Sequence, residues 1–241
     1  VTIHRLSDGL TVYLSPNKQT PRIMSWIGVR AGGAHDPQDS TGMAHYLEHM
    51  LFKGTTRLGT TDYAKEKAHL ERIQQLYEDL FKETDPERRK AVYAEIDKEN
   101  QLVSQYAVPG ELDKLYKGFG FTGLNAHTAH EQTVYKSDFP KNRLDAWAKV
   151  EAERYSQPVF RLFQTEIETV YEELIRSWDS PFSLVWQAFY KELFPGHPYS
   201  VPIIGTPEHL KNPSLAKMYA YFDRYYVPNN MAVALAGDGG Q

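Results

Sequence analysis

The apolar positions fall into two periods that change along the chain. Thr2–Leu6 and Leu10–Ser15 flank Asp8-Gly9, a pair suited to a tight hairpin turn, so this stretch predicts two strands. Arg22–Ala31 is a third apolar run, closed by Gly32-Gly33. From Ser40 to Leu51 the period becomes helical, with Met43, Leu47, Met50 and Leu51 recurring on one side until Gly54 ends the run.

Asp62 to Tyr106 differs in character, being rich in Glu, Lys, Gln, Ala and Leu. Leu70, Ile73, Leu76 and Leu80 form one stripe, and Val92, Ile96 and Val103 suggest a second. Thr84-Asp85-Pro86-Glu87 between them is a helix-start signal, with Pro early and Glu at the capping-box position. The segment 62–106 therefore predicts a helical hairpin, inserted in the domain but outside its core. After Pro109-Gly110, Asn125–Thr128 and Thr133–Ser137 predict short strands. Helices are expected over Arg143–Ser156, Leu162–Trp178 and Phe182–Phe194, with Trp147, Trp178 and Trp186 as core residues. A Pro-rich loop leads to a helix at Ser214–Tyr226 and a strand at Met231–Ala236. Strands clustered and linked by hairpins or long helical excursions predict an α+β fold. Its sheet should be largely antiparallel and packed with helices, as one domain over residues 1–241.

Composition removes several alternatives. Of 241 residues, 41% are hydrophobic and 24% charged, enough for an ordinary core. The net charge of −4, without a long single-sign run, weighs against nucleic acid as the main partner. With no cysteine, any metal must sit on His, Asp or Glu; the lack of cysteine does not fix the redox compartment. No segment reaches the roughly 18 apolar residues of a membrane span. The sequence starts at Val1 rather than Met, and Ala236–Gln241 follows directly on an apolar run, so it reads as a section of a longer chain.

Residues 45–49 read His-Tyr-Leu-Glu-His. Positions four apart on a helix lie about 40° apart, so His45 and His49 can aim two imidazoles at one ion while Glu48 stands beside it. Imidazole suits zinc, and a neighbouring carboxylate suits taking a proton from a zinc-bound water. The order is the reverse of His-Glu-x-x-His. His127 and His130 form a weaker second pair, read as bonding locally. His4, His35, His69, His197 and His209 have no partner pattern.

The flanks of the motif add to this. Thr41-Gly-Met-Ala-His-Tyr-Leu-Glu-His-Met-Leu-Phe-Lys-Gly-Thr55 resembles the signature of the pitrilysin/insulinase (M16) family. The resemblance resumes at Gly123-Leu-Asn-Ala-His-Thr, Glu131-Gln-Thr-Val-Tyr135, Glu172-Glu-Leu, His197-Pro-Tyr199, Ile204-Gly-Thr206 and Tyr226-Val-Pro-Asn-Asn-Met231. It implies a zinc endopeptidase acting on peptides or unfolded polypeptides, with one zinc ion per chain. Glu48 would be the catalytic base, and the third ligand a glutamate within Glu166-Ile-Glu-Thr-Val-Tyr-Glu-Glu-Leu174. By the family pattern that ligand is Glu173, with Glu166 as the carboxylate behind it; Glu172 is the rival. Glu166, Val170 and Glu173 share one helix face, and Glu168 and Glu172 share another. Asn125 and Ala126 match the family's substrate-lining edge strand. The resemblance also implies a second half-domain, in the same polypeptide or a partner, closing over the substrate. The alternative is a subunit that keeps the fold without the chemistry; such subunits usually lack part of the motif, which is present here.

Overall fold

The computed structural model describes residues 1–238; of the terminal Ala236–Gln241 segment, residues 239–241 lie outside the described chain. Six strands are formed: β1 Thr2–Arg5, β2 Thr11–Pro16, β3 Arg22–Val29, β4 Thr122–Thr128, β5 Thr133–Pro140 and β6 Met231–Gly237. They make one sheet in the order β1-β2-β6-β3-β5-β4. Every neighbouring pair is antiparallel except β2 and β6, which run parallel. The α+β expectation holds, with a mixed sheet. In β3 the residues Ile23, Ser25, Ile27 and Val29 are buried while Met24 and Trp26 are exposed, the alternation of a sheet covered on one face.

The helices are α1 Met43–Met50, α2 Tyr63–Lys82, α3 Pro86–Ser104, α4 Glu111–Gly118, α5 Leu144–Ser156, α6 Phe163–Trp178, α7 Pro181–Leu193, α8 Pro207–Leu210 and α9 Leu215–Tyr225. The turn between α2 and α3 forms where the start signal stands: Asp85 accepts the Arg88 N–H at 2.9 Å and Pro86 opens α3. The helix α4 has no counterpart in the sequence reading. Only Leu112 and Tyr116 anchor it, too few apolar positions to show a period.

Two expectations are corrected. The hairpin α2–α3 does not stand outside the core: Ile73, Leu76, Tyr77, Leu80, Ile96 and Val103 are buried in the same apolar cluster as α1 and the sheet, and Tyr77 meets Phe163 edge-on at 4.8 Å. Its polar composition belongs to the other sides of two long helices. Of the three tryptophans read as core, only Trp147 is buried, stacked on Phe139. Trp178 and Trp186 are 39% and 44% exposed. Trp186 lies on α7, on which no residue is buried and whose face of Phe182, Val185, Trp186 and Phe189 is turned outward; Trp178 ends α6 just before it.

Candidate active site

Helix α1 runs through the middle of the molecule, with Met43, Ala44, Tyr46, Leu47, Glu48 and Met50 all buried. Its first residue follows Gly42, which has no side chain to cap the free N–H groups. Asp36 does so from outside, accepting from Gly42 N at 2.7 Å and Ala44 N at 2.8 Å. Burial raises the Asp36 carboxyl to about 7, against the pull of the Ala44, Gly42 and Met43 N–H groups. A raised acid favours the folded state when protonated, so its contribution is full below about pH 4 and is lost as pH rises through 7. In urea titrations between pH 5 and 8, the wild type should lose stability relative to Asp36→Asn, by at most about 1.4 kcal/mol per pH unit. Parallel profiles would remove Asp36 from that role.

One turn apart on α1, His45 and His49 bring their rings to 4.8 Å, and α6 supplies Glu173 opposite them. The Glu173 carboxylate lies 3.9 Å from His45 Nε2 and 3.7 Å from His49 Nε2, too far for hydrogen bonds. One donor atom from each of the three falls within 4.8 Å of the others, and no other group of three or more such residues occurs among the described residues. Zinc at about 2.0–2.1 Å from N and O donors needs them roughly 3.4 Å apart, so the three fit an ion between them with little adjustment. Glu172 does not approach; it borders a different groove with Tyr77, Tyr93 and Tyr171.

The surroundings tune each group. Burial, then the neighbouring His49, holds His45 down to about 4, so its ring is neutral at pH 7; its Nδ1 is buried without a hydrogen-bond partner. His49 Nδ1 bonds Glu166 Oε1 at 2.8 Å, which leaves Nε2 facing Glu173. Burial works against charge on His49, but the bond to Glu166 and the carboxylates of Glu166, Glu48 and Glu173 outweigh it and raise its pKa. Glu166 also pairs with Lys53. Burial would raise the Glu166 carboxyl, but hydrogen bonds with His49 and Lys53 prevail and lower it. Glu48 is raised, chiefly by burial and further by Glu173, while the hydrogen bond from Thr128 and the charge of His49 resist. Thr128 Oγ1 donates to Glu48 Oε2 at 2.5 Å, tying the helix to β4.

β4 is one of the sheet's two edge strands, and Asn125 and Ala126 lie on it, opposite Lys136 and Tyr135 of β5. A groove of about 440 Å³ opens beside Glu173, lined in part by Trp186, Tyr190 and His130. His130 stacks on Tyr199 at 4.4 Å and on Tyr190 at 5.5 Å and joins no ligand cluster with His127. The sequence reading passed over Asp36, Lys53 and Thr128. Lys53 and Thr128 both lie inside the quoted stretches, and Asp36 precedes a glycine that cannot cap its own helix.

A family model described as "Insulinase (Peptidase family M16)" matches residues 11–71, which span β2, β3, α1 and the start of α2. Over that stretch the chain is similar to the M16 insulinase family. An uncharacterized zinc protease of Rickettsia felis is 22% identical to this chain over 238 residues, covering 98% of it and 46% of the relative. A protease from Helicobacter pylori, seen in a crystal structure, shares the M16 fold with a TM-score of 0.74 and 24% identity, covering 100% of this chain and 46% of that one. The peptidase M16 inactive domain from Pseudomonas fluorescens superposes with a TM-score of 0.72 at 16% identity, over 98% of this chain and 46% of that domain's chain. The chain thus spans about half the length of these proteins. Among the described residues no helix is long and apolar enough to cross a membrane.

Proposed function

We propose that this chain is the zinc-holding, water-activating half of an endopeptidase acting on peptides or unfolded polypeptides. The observation that carries the reading is the convergence of His45, His49 and Glu173 on one point, with Glu48 beside them on α1. Fold alone would not carry it, since an M16 domain named as inactive has the same fold. A zinc ion held by the three side chains would polarise the scissile carbonyl and acidify an attacking water. His45 and His49 would hold the ion through Nε2, and Glu166 keeps the His49 ring turned that way. Glu48, with Oε2 engaged by Thr128, would accept the water's proton on Oε1 and return it to the leaving amine. An extended peptide paired along β4 at Asn125 and Ala126 would pass this point, its main chain completing the open strand edge. The groove beside Glu173, with Trp186 and Tyr190, offers an apolar place for one of its side chains. A second half-domain would close over the peptide and supply an oxyanion donor.

The test is metal content and peptide cleavage together. The chain is expected to bind one zinc ion and, joined to its second half, to lose cleavage on chelation and to regain it with zinc. His45→Ala, His49→Ala and Glu173→Gln should each empty the site, whereas Glu172→Gln should leave it full. Full metal in Glu173→Gln with loss in Glu172→Gln would move the third ligand. A zinc-loaded chain, joined to its second half and inert on every unfolded peptide, would make it a scaffold subunit.

A further inference from the structure

Arg161 stands just ahead of α6, the helix that carries Glu166 and Glu173, and its side chain is 1% exposed. A guanidinium has five N–H donors, and all five are engaged. Nε and Nη2 reach the two Glu66 oxygens at 2.8 and 3.0 Å. Nη1 donates to the carbonyls of Lys53 and Leu58 at 3.1 and 2.9 Å, and Nη2 to that of Thr55 at 2.8 Å. The loop that leaves α1 is therefore wound around this one group. A β-carbon at Gly54 or Gly59 would fall 2.8 or 2.9 Å from Nη1, and both glycines have positive φ, +108° and +84°. Glu66, fully buried in the first turn of α2, supplies the countercharge.

Lys53 connects this cluster to the candidate metal site. Its carbonyl accepts from Arg161, while its ammonium pairs with Glu166, whose other oxygen holds His49 Nδ1. The geometry points to Glu66, a residue of the hairpin, as a positioning residue for the metal site. Through Arg161 and Lys53 it sets where Glu166 holds the ring of His49. This rests on His45, His49 and Glu173 being a metal site. Without the Glu66 carboxylate, a guanidinium is left buried and unpaired, a state proteins relieve by rearranging. The groups free to move are the loop carbonyls on the same guanidinium. Shifting them carries Lys53 away from Glu166 and leaves the His49 ring less firmly held, although no ligand has changed. Partners one layer behind a ligand commonly change metal affinity by about 10–100-fold.

Cobalt(II) serves as the probe, since its visible spectrum reports ligand geometry while affinity is titrated on the full chain. Glu66→Gln is expected to weaken cobalt binding on the order of 10-fold, with an altered spectrum, at a temperature where circular dichroism shows it folded. Ile96→Val, chosen to loosen the hairpin core without touching the polar chain, should bind as wild type does. Glu66→Asp, which keeps the charge, should recover part of the loss. Lys53→Met should weaken binding similarly, and adding Glu66→Gln to it should cost much less than in the wild type, because the two act along one path. Wild-type affinity and spectrum in folded Glu66→Gln would overturn the proposal, as would an equal loss in Ile96→Val or full additivity of the pair. If Glu66→Gln does not fold, wild-type affinity in Lys53→Met overturns it as well. Equal cobalt binding by wild type and His45→Ala would instead strike at the metal site itself, a different failure.

Discussion

Glu48→Gln is expected to keep its metal and lose peptide hydrolysis by about 10²–10⁴-fold. The amide has nearly the shape of the carboxyl, and its oxygen can still accept the Thr128 hydroxyl, so the tie between α1 and β4 survives. His45, His49 and Glu173 are untouched. What disappears is a carboxylate able to take a proton beside the attacking water, one whose pKa burial moves upward, toward the range in which a base works well at neutral pH. A base acts when deprotonated, so wild-type rate should fall as pH drops through the raised Glu48 pKa, and the variant's residual rate should lack that limb. Initial rates on one unfolded peptide from pH 5 to 8, at matched zinc content, measure both effects. A near wild-type rate would take Glu48 out of the mechanism.

Replacing residues 62–106 by a short loop should leave a chain that does not fold. Read from sequence, the segment looked removable, but it places six large side chains in the shared core. Burial of each is worth roughly 1.5–3 kcal/mol, so their loss matches or exceeds the whole stability of a typical domain, about 5–15 kcal/mol. The deletion also leaves Arg161 without Glu66, an unpaired charge in the interior costing about 3–5 kcal/mol more. Circular dichroism and denaturant titration of the shortened chain decide the matter. A cooperative unfolding transition near that of the intact chain would show that the core is complete without the hairpin.

The helix bearing His45, Glu48 and His49 was legible because one short, strongly periodic element holds all three, and spacing along a helix converts directly into direction in space. The same logic put Glu166 and Glu173 on one face of α6. What sequence could not weigh was burial on the far side of a polar helix. In α2 and α3 a minority of apolar positions meets the core, and the many charges around them argued for solvent. In α7 the error runs the other way: Trp186 and Phe182 have core-like chemistry, but no residue of that helix is buried. Contacts such as Thr128 with Glu48, or Arg161 with Glu66, join residues 80 and 95 positions apart, and no local pattern encodes them. In β3 the outward Met24 and Trp26 are themselves apolar, which hid the alternation and made the strand look like a continuous run.

The place of β6 in the sheet has a consequence for how the molecule is made. It lies between β2 and β3, strands made far earlier, and among the described residues it alone links them across the sheet. A ribosome adding about 5–20 residues per second finishes β3 roughly 10–40 s before it finishes β6. Through that interval β2 and β3 each present an edge that has no mate; β1 is already available beside β2, whereas β5, the other neighbour of β3, is made only about halfway through. Until β6 is made the described strands can form only two incomplete half-sheets, and the platform beneath α1 closes when β6 slides into the centre.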